Sequence, residues 1–130
     1  MRKYNLFVIK KEYYDLYKNK IELLFDILKG IRKLNNSYGI FLYEQICNII
    51  DINLLNDYLN SKFNLNKKYY FFFDNIIINL KYSRIVVLTK YNFPKIIKFF
   101  NCYNRYIFVV DFENNDYFWL NDFTKNKVLI

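Results

Sequence analysis

The sequence predicts an α+β fold: a mainly antiparallel sheet of about five strands with four helices packed on it, as a layered sandwich. Two observations predict it. Apolar β-rich runs cluster around short Asn/Asp-containing breaks in the second half of the chain, as in hairpins and meanders. Apolar residues at three- and four-residue steps dominate the first half, as in amphipathic helices. Neither a repeat nor a low-complexity linker interrupts the 130 residues and 16.2 kDa, so residues 1–130 are expected to form a single domain.

Taken in order, Tyr4–Ile9 (YNLFVI) is apolar almost throughout, the pattern of a strand buried on both faces. Tyr13, Tyr17, Ile21, Leu24, Leu28 and Ile31 then describe one helix, its stripe widened by Phe25 and Ile27. Glu12 and Asp15 near its start and Lys29, Arg32 and Lys33 near its end complement the helix dipole. Gly30 and Asn35-Asn36 mark its end. Ser37 is the expected N-cap of a second helix from Tyr38 to about Ile50, with Ile40, Phe41, Ile46 and Ile50 facing inward. A third helix carries Leu54, Leu55, Tyr58, Leu59 and Phe63, capped by Asp51 or Asn53, and Asn64–Lys68 is a polar connector.

From Tyr69 to Thr89 three apolar runs, broken at Asp74-Asn75 and Tyr82-Ser83, predict a meander; Tyr69–Leu80 also fits one long bent strand. Asn92-Phe93-Pro94 opens a helix with Pro in its first turn, its apolar face made by Ile96, Ile97, Phe100 and Tyr103, ending near Asn104. Arg105–Phe112 and Tyr117–Asn121 flank Glu113–Asp116 as a hairpin expected at the heart of the sheet, with Val109 or Val110, Phe112, Trp119 and Leu120 in the core. Phe123–Ile130 is read as a tail.

Composition narrows function mostly by exclusion. The chain has no His, two Gly and two Cys, so the commonest general base and any phosphate-binding glycine loop are missing. Cys47 and Cys102 form no metal-ligand or paired spacing and are expected to be buried thiols in a reducing cytoplasm, with no cofactor or metal. Asp111, Glu113 and Asp116 are the only carboxylates grouped near a strand end, and carboxylates there are ordinarily solvated turn residues. No enzyme is expected. The start, MRKYNLFVIKKEYY, lacks a signal-peptide pattern, and no apolar run is long enough to span a bilayer, so a soluble, cytoplasmic chain is expected with no membrane partner.

The net charge is +8, but Lys and Arg are scattered, with small clusters at Lys10-Lys11 and Lys67-Lys68. Lys, Asn, Ile, Tyr and Phe are also the residues that AT-rich coding sequence favours. The charge excess is therefore read mainly as solvated surface, with no direct specific nucleic-acid binding expected. Sheet aromatics such as Phe71–Phe73, or Phe108 and Phe112, are read as core before stacking platform. Tyr13, Tyr14 and Tyr17 differ: they head a helix beside Lys10-Lys11, and Tyr is a favoured contact residue in protein interfaces.

Tyr4–Tyr17 (YNLFVIKKEYYDLY), the LLFDIL block from Leu23, and Arg105–Asn121 (RYIFVVDFENNDYFWLN) resemble the two ends of the SirA family, the sporulation inhibitors of replication of endospore-forming Firmicutes. Glu44–Ile46 (EQI) and Asn64–Lys67 (NLNK) fall at compatible places between them. The chain departs from the family by lacking a stretch between the Asn64–Lys67 connector and the Ile76–Lys90 hairpin (IIINLKYSRIVVLTK), and by Asp122 where Pro is expected. The resemblance implies an inhibitory binding protein without catalysis. Its partner would be the N-terminal domain, domain I, of the replication initiator DnaA, whose assembly at the chromosomal origin it obstructs during sporulation. Carried over by motif position, the partner-binding residues are Tyr13, Tyr17 and Gln45, with Asn48 at a contact position where the family can have Tyr. The alternative is a small basic nucleic-acid-binding domain that uses an aromatic sheet face.

Overall fold

The computed structural model describes residues 1–34 and 36–122, so the Phe123–Ile130 tail and Asn35 lie outside the described residues. Its elements run β1 (Arg2–Val8), α1 (Lys11–Tyr17), α2 (Ile21–Lys33), α3 (Ser37–Ile46), α4 (Ile52–Phe63), β2 (Tyr70–Phe73), β3 (Ile76–Leu80) and β4 (Ile85–Thr89). Then come α5 (Lys95–Phe99), a 3-10 turn (Phe100–Cys102), β5 (Ile107–Asp111) and β6 (Asp116–Trp119). The fold is α+β, as the sequence predicts, with six strands where about five were expected. All strand pairs are antiparallel, in the order β2-β3-β4-β1-β5-β6.

The organising strand is β1, with β4 on one side and β5 on the other. The closing hairpin occupies one flank of the sheet, not its heart, although Val109, Val110, Phe112, Trp119 and Leu120 are all buried as expected. Alternation along β1 explains its apolar run. Tyr4, Leu6 and Val8 join a core under α4 and α5, while Phe7 and Ile9 join a second core under α1, α2 and α3. Where helices cover both faces, from Leu6 onward, the strand has no polar side to show, and each large side chain it fully buries contributes about 1.5–3 kcal/mol.

Local chemistry sets most boundaries. Asp51 caps α4 by accepting from Leu54 N–H at 3.1 Å, and Asp74-Asn75, with φ of 52° and 60°, make the two-residue turn that separates β2 from β3. The expected single helix from Tyr13 to Ile31 is instead two. The chain turns at Lys18–Lys20, where Trp119 Nε1 donates to the Lys18 carbonyl at 3.2 Å. Helix α2 runs through Gly30 to Lys33 without ending there. Asn36, not Ser37, caps α3 by accepting from Gly39 N–H at 3.0 Å. That helix stops at Ile46, short of Ile50, because Cys47 turns extended and pairs with Ile9. Pro94 is the N-cap of α5, one position before the first turn, and the α-helix ends at Phe99, ahead of Asn104.

Two expectations about polar residues change. Asp111 is only 1% exposed: it accepts from Arg2 Nε at 2.9 Å and from Asn114 Nδ2 at 2.7 Å, so it is no solvated turn carboxylate. Cys47 is buried, as expected, but Cys102 is exposed and its thiol donates to the Phe99 carbonyl at 2.9 Å. Among the described residues no helix is long and apolar enough to cross a membrane.

Candidate docking surface and cleft

The resemblance-derived residues come from two elements that the backbone joins. Ile9 and Cys47 form an isolated antiparallel bridge, Lys10 N–H donates to the Ile46 carbonyl at 2.8 Å, and Asn48 N–H donates to the Val8 carbonyl at 2.8 Å. The start of α1 is thereby clamped to the end of α3, bringing the segment of Tyr13 beside that of Gln45 and Asn48. Gln45 and Asn48 are exposed. Tyr13 and Tyr17 are half-buried against the second core, so each divides its area between scaffold and surface. Tyr14 belongs to the scaffold, its ring 4.7 Å from both Tyr106 and Trp119.

Helix α3 carries more apolar surface than the fold consumes. Gly39, Tyr43 and Ile46 face inward at helical spacing. Tyr38, Ile40 and Phe41 are 59%, 62% and 56% exposed, which reverses the inward orientation expected of Ile40 and Phe41. A helix with large apolar residues on its outer as well as its inner side offers little period from which its buried face can be read. Its outer side runs Tyr38, Phe41, Gln45 at steps of three and four.

Helices α1–α3 cover their sheet face over β5, β6 and the end of β1, where Phe7 and Ile9 lie. On the rest of that face, register aligns Lys3, Leu88, Ile77 and Phe72 in one row, and Asn5, Val86, Asn79 and Tyr70 in the next. Tyr70 and Phe72 are 53% and 60% exposed there, whereas Phe71, Phe108 and Phe112 are core residues.

Where the helices stop and the open sheet begins lies a cleft of about 580 Å³, within the range of small-molecule sites. Asn5, Phe7 and Phe112 line its floor, Leu28 and Ile31 one wall, and Ile40 and Tyr43 the other. Lys3, Arg32, Arg84 and Glu44 also line it. Arg84 is half-buried; its Nε donates to Asn5 Oδ1 at 2.9 Å and its Nη1 to Ser83 Oγ at 3.3 Å. Burial and the nearby Arg32 charge both lower its pKa, with Tyr43 acting in the opposite sense. Among the described residues it has no carboxylate partner. Arg32 lies over the Phe112 ring at 4.8 Å.

Nucleophilic chemistry finds little here. Burial pushes the Cys47 thiol up to about 12, so it stays protonated at neutral pH, and burial pushes the Tyr43 phenol up as well. The Tyr43 hydroxyl is buried and, among the described residues, the polar group that acts on it most is the Cys47 thiol, which lies outside good hydrogen-bond geometry but close enough to perturb it. Among the described residues no group of three or more His, Cys, Asp or Glu could hold a metal ion.

No family model matches the chain, and no curated protein matches it. The SirA resemblance therefore rests on the Tyr4–Tyr17 and Arg105–Asn121 segments themselves. Sequence reasoning passed over Tyr38, Tyr70 and Arg84. Tyr69–Phe73 is aromatic throughout, so no alternation in the sequence marks the open row, and nothing local marks Arg84.

Proposed function

We propose that this chain is a non-catalytic binding protein of the cytoplasm, which docks through the α1–α3 surface on the N-terminal domain of DnaA. By obstructing initiator assembly at the origin, it would restrain replication as the cell commits to sporulation. One observation carries the docking part: Tyr38, Ile40 and Phe41 expose more than half of their surface on one helix, next to Gln45. Clustered exposed apolar residues of this kind mark partner surfaces, and aromatic side chains supply most hot spots. The choice of partner follows the resemblance at Tyr13, Tyr17 and Gln45. Calorimetry with purified DnaA N-terminal domain tests it; absence of binding by the unmutated chain rejects that partner.

The open sheet favours a second reading. Tyr70 and Phe72 stand exposed on a face that also carries Lys3, an arrangement on which unpaired bases stack. Affinity for single-stranded DNA that falls steeply with salt and is lost in Phe72→Ala would replace the docking reading with this one.

A further inference from the structure

We propose that the cleft between α2, α3 and the open half of the sheet is a binding site for a small amphipathic anion, a molecule with an apolar body and one anionic head. The proposal does not depend on which protein partner docks: it concerns the interior of the cleft, which shares Ile40 with the exposed patch of α3 but not Tyr38 or Phe41.

Shape and composition define the body of the ligand. The volume of about 580 Å³ accommodates a small organic molecule. Phe7 below, Leu28 and Ile31 on one side and Ile40 on the other surround it with carbon. Apolar lining of this kind holds a hydrocarbon or aromatic body by burial and leaves orientation to a few polar groups.

Charge defines the head. Among the described residues, three cations and one carboxylate line the cleft. Arg84 is the decisive one. Its bonds to Asn5 and Ser83 use two of the five guanidinium donors and hold the group in one orientation. Among the described residues the remaining donors pair with no carboxylate. A half-buried guanidinium near a second one is disfavoured unless an anion compensates it, and among the described residues no carboxylate forms an ion pair with it. A structural arginine would be expected to carry an internal partner, as Arg2 does with Asp111 and Asp116. Carboxylate, sulfonate and phosphate heads share the acceptor geometry that a guanidinium recognises.

Anilinonaphthalene sulfonate and phenylnaphthylamine, the same apolar body with and without the anionic head, serve as probes in fluorescence titrations of the full chain. The unmutated protein is expected to bind the sulfonate about tenfold more tightly than the neutral amine. Arg84→Met is expected to abolish that preference while leaving amine affinity within about twofold, and Arg84→Lys to retain part of it. Equal affinity for the two probes in the unmutated chain, or an Arg84→Met variant that keeps the preference, overturns the proposal. NMR of the unmutated protein provides a test free of any folding defect. Sulfonate addition should shift the Arg84 Nε–H and Tyr43 resonances; shifts confined to Tyr38 and Phe41 on the outer helix surface overturn it equally.

Discussion

Arg2 Nε donates to Asp111 Oδ2 at 2.9 Å, joining the first strand to the fifth across 109 positions of sequence. Arg2 Nη2 reaches Asp116 on β6 at 2.8 Å, so one guanidinium gathers three strands. Asp111 also accepts from the N–H groups of Glu113 and Asn114, fixing the hairpin loop. Burial acts to raise the Asp111 pKa, but hydrogen bonds from Asn114 and Arg2 outweigh it and hold the carboxyl below its ordinary value. A depressed carboxylate stabilises the fold above its unfolded pKa, and the contribution is lost as pH falls through the folded value. Replacing Asp111 by Ala should cost about 2–3 kcal/mol at pH 7. In urea titrations at several pH values, the difference between Asp111→Ala and the unmutated chain should shrink below about pH 4. A difference that does not change with pH would remove the carboxylate from this role.

The two glycines make opposite predictions. At Gly30, on the exposed side of α2, an added Cβ meets nothing within 4 Å, so Gly30→Ala should stabilise by about 0.5–1 kcal/mol through helix propensity. At Gly39 the added Cβ would stand 2.3 Å from the Leu34 carbonyl oxygen, a backbone atom that cannot rotate aside. Gly39→Ala should destabilise by about 1–3 kcal/mol, the usual cost of overpacking. Thermal melts of the two variants beside the parent check both signs.

The strands were legible because burial on both faces writes long apolar runs, as Tyr4–Ile9 shows, and because Asp74-Asn75 supplies turn chemistry that needs no tertiary help. What escaped depends on distant partners. Tyr13, Tyr17, Ile21 and Leu24 keep helical spacing straight through Lys18–Lys20, and the break there is joined to Trp119, 101 positions away. Helix α3 hid its orientation in surplus hydrophobicity, so Ile40 and Phe41 were read inward. Arg84 follows a turn that marks only the end of β3. Its meeting with Asn5 depends on the pairing of β1 with β4, which no local pattern encodes. Of the four resemblance-derived residues, Gln45 and Asn48 stand exposed while Tyr13 and Tyr17 are shared with the core.

Trp119 holds the junction of α1 and α2 from β6. Its indole donates to the Lys18 carbonyl at 3.2 Å and its ring meets Tyr14 at 4.7 Å and Phe108 at 4.8 Å. Trp119→Phe keeps an aromatic ring but loses the donor and some volume, and should cost about 1–2 kcal/mol. Hydrogen exchange should report the loss first at the backbone amides of Lys18 and Lys20, which donate to Tyr14 and Tyr17 at the turn. Uniform loss of protection across all strands, with no local excess at the turn, would argue against this role.

Phe41 and Tyr17 separate docking from scaffolding. Phe41 is 56% exposed on the outer side of α3, so Phe41→Ala should leave stability within about 0.5 kcal/mol of the parent. Tyr17 is half-buried on the second core, and Tyr17→Ala should lower stability measurably as well as altering the surface. If α1 and α3 together form the docking face, each substitution should weaken binding of the DnaA N-terminal domain by about 2 kcal/mol or more. Only the Phe41 effect would then be free of any stability loss. Calorimetry and urea unfolding on the same preparations distinguish the cases. Should Phe41→Ala bind as tightly as the unmutated chain, the exposed side of α3 lies outside the interface. Retained binding by Tyr17→Ala removes the α1 contribution in the same way.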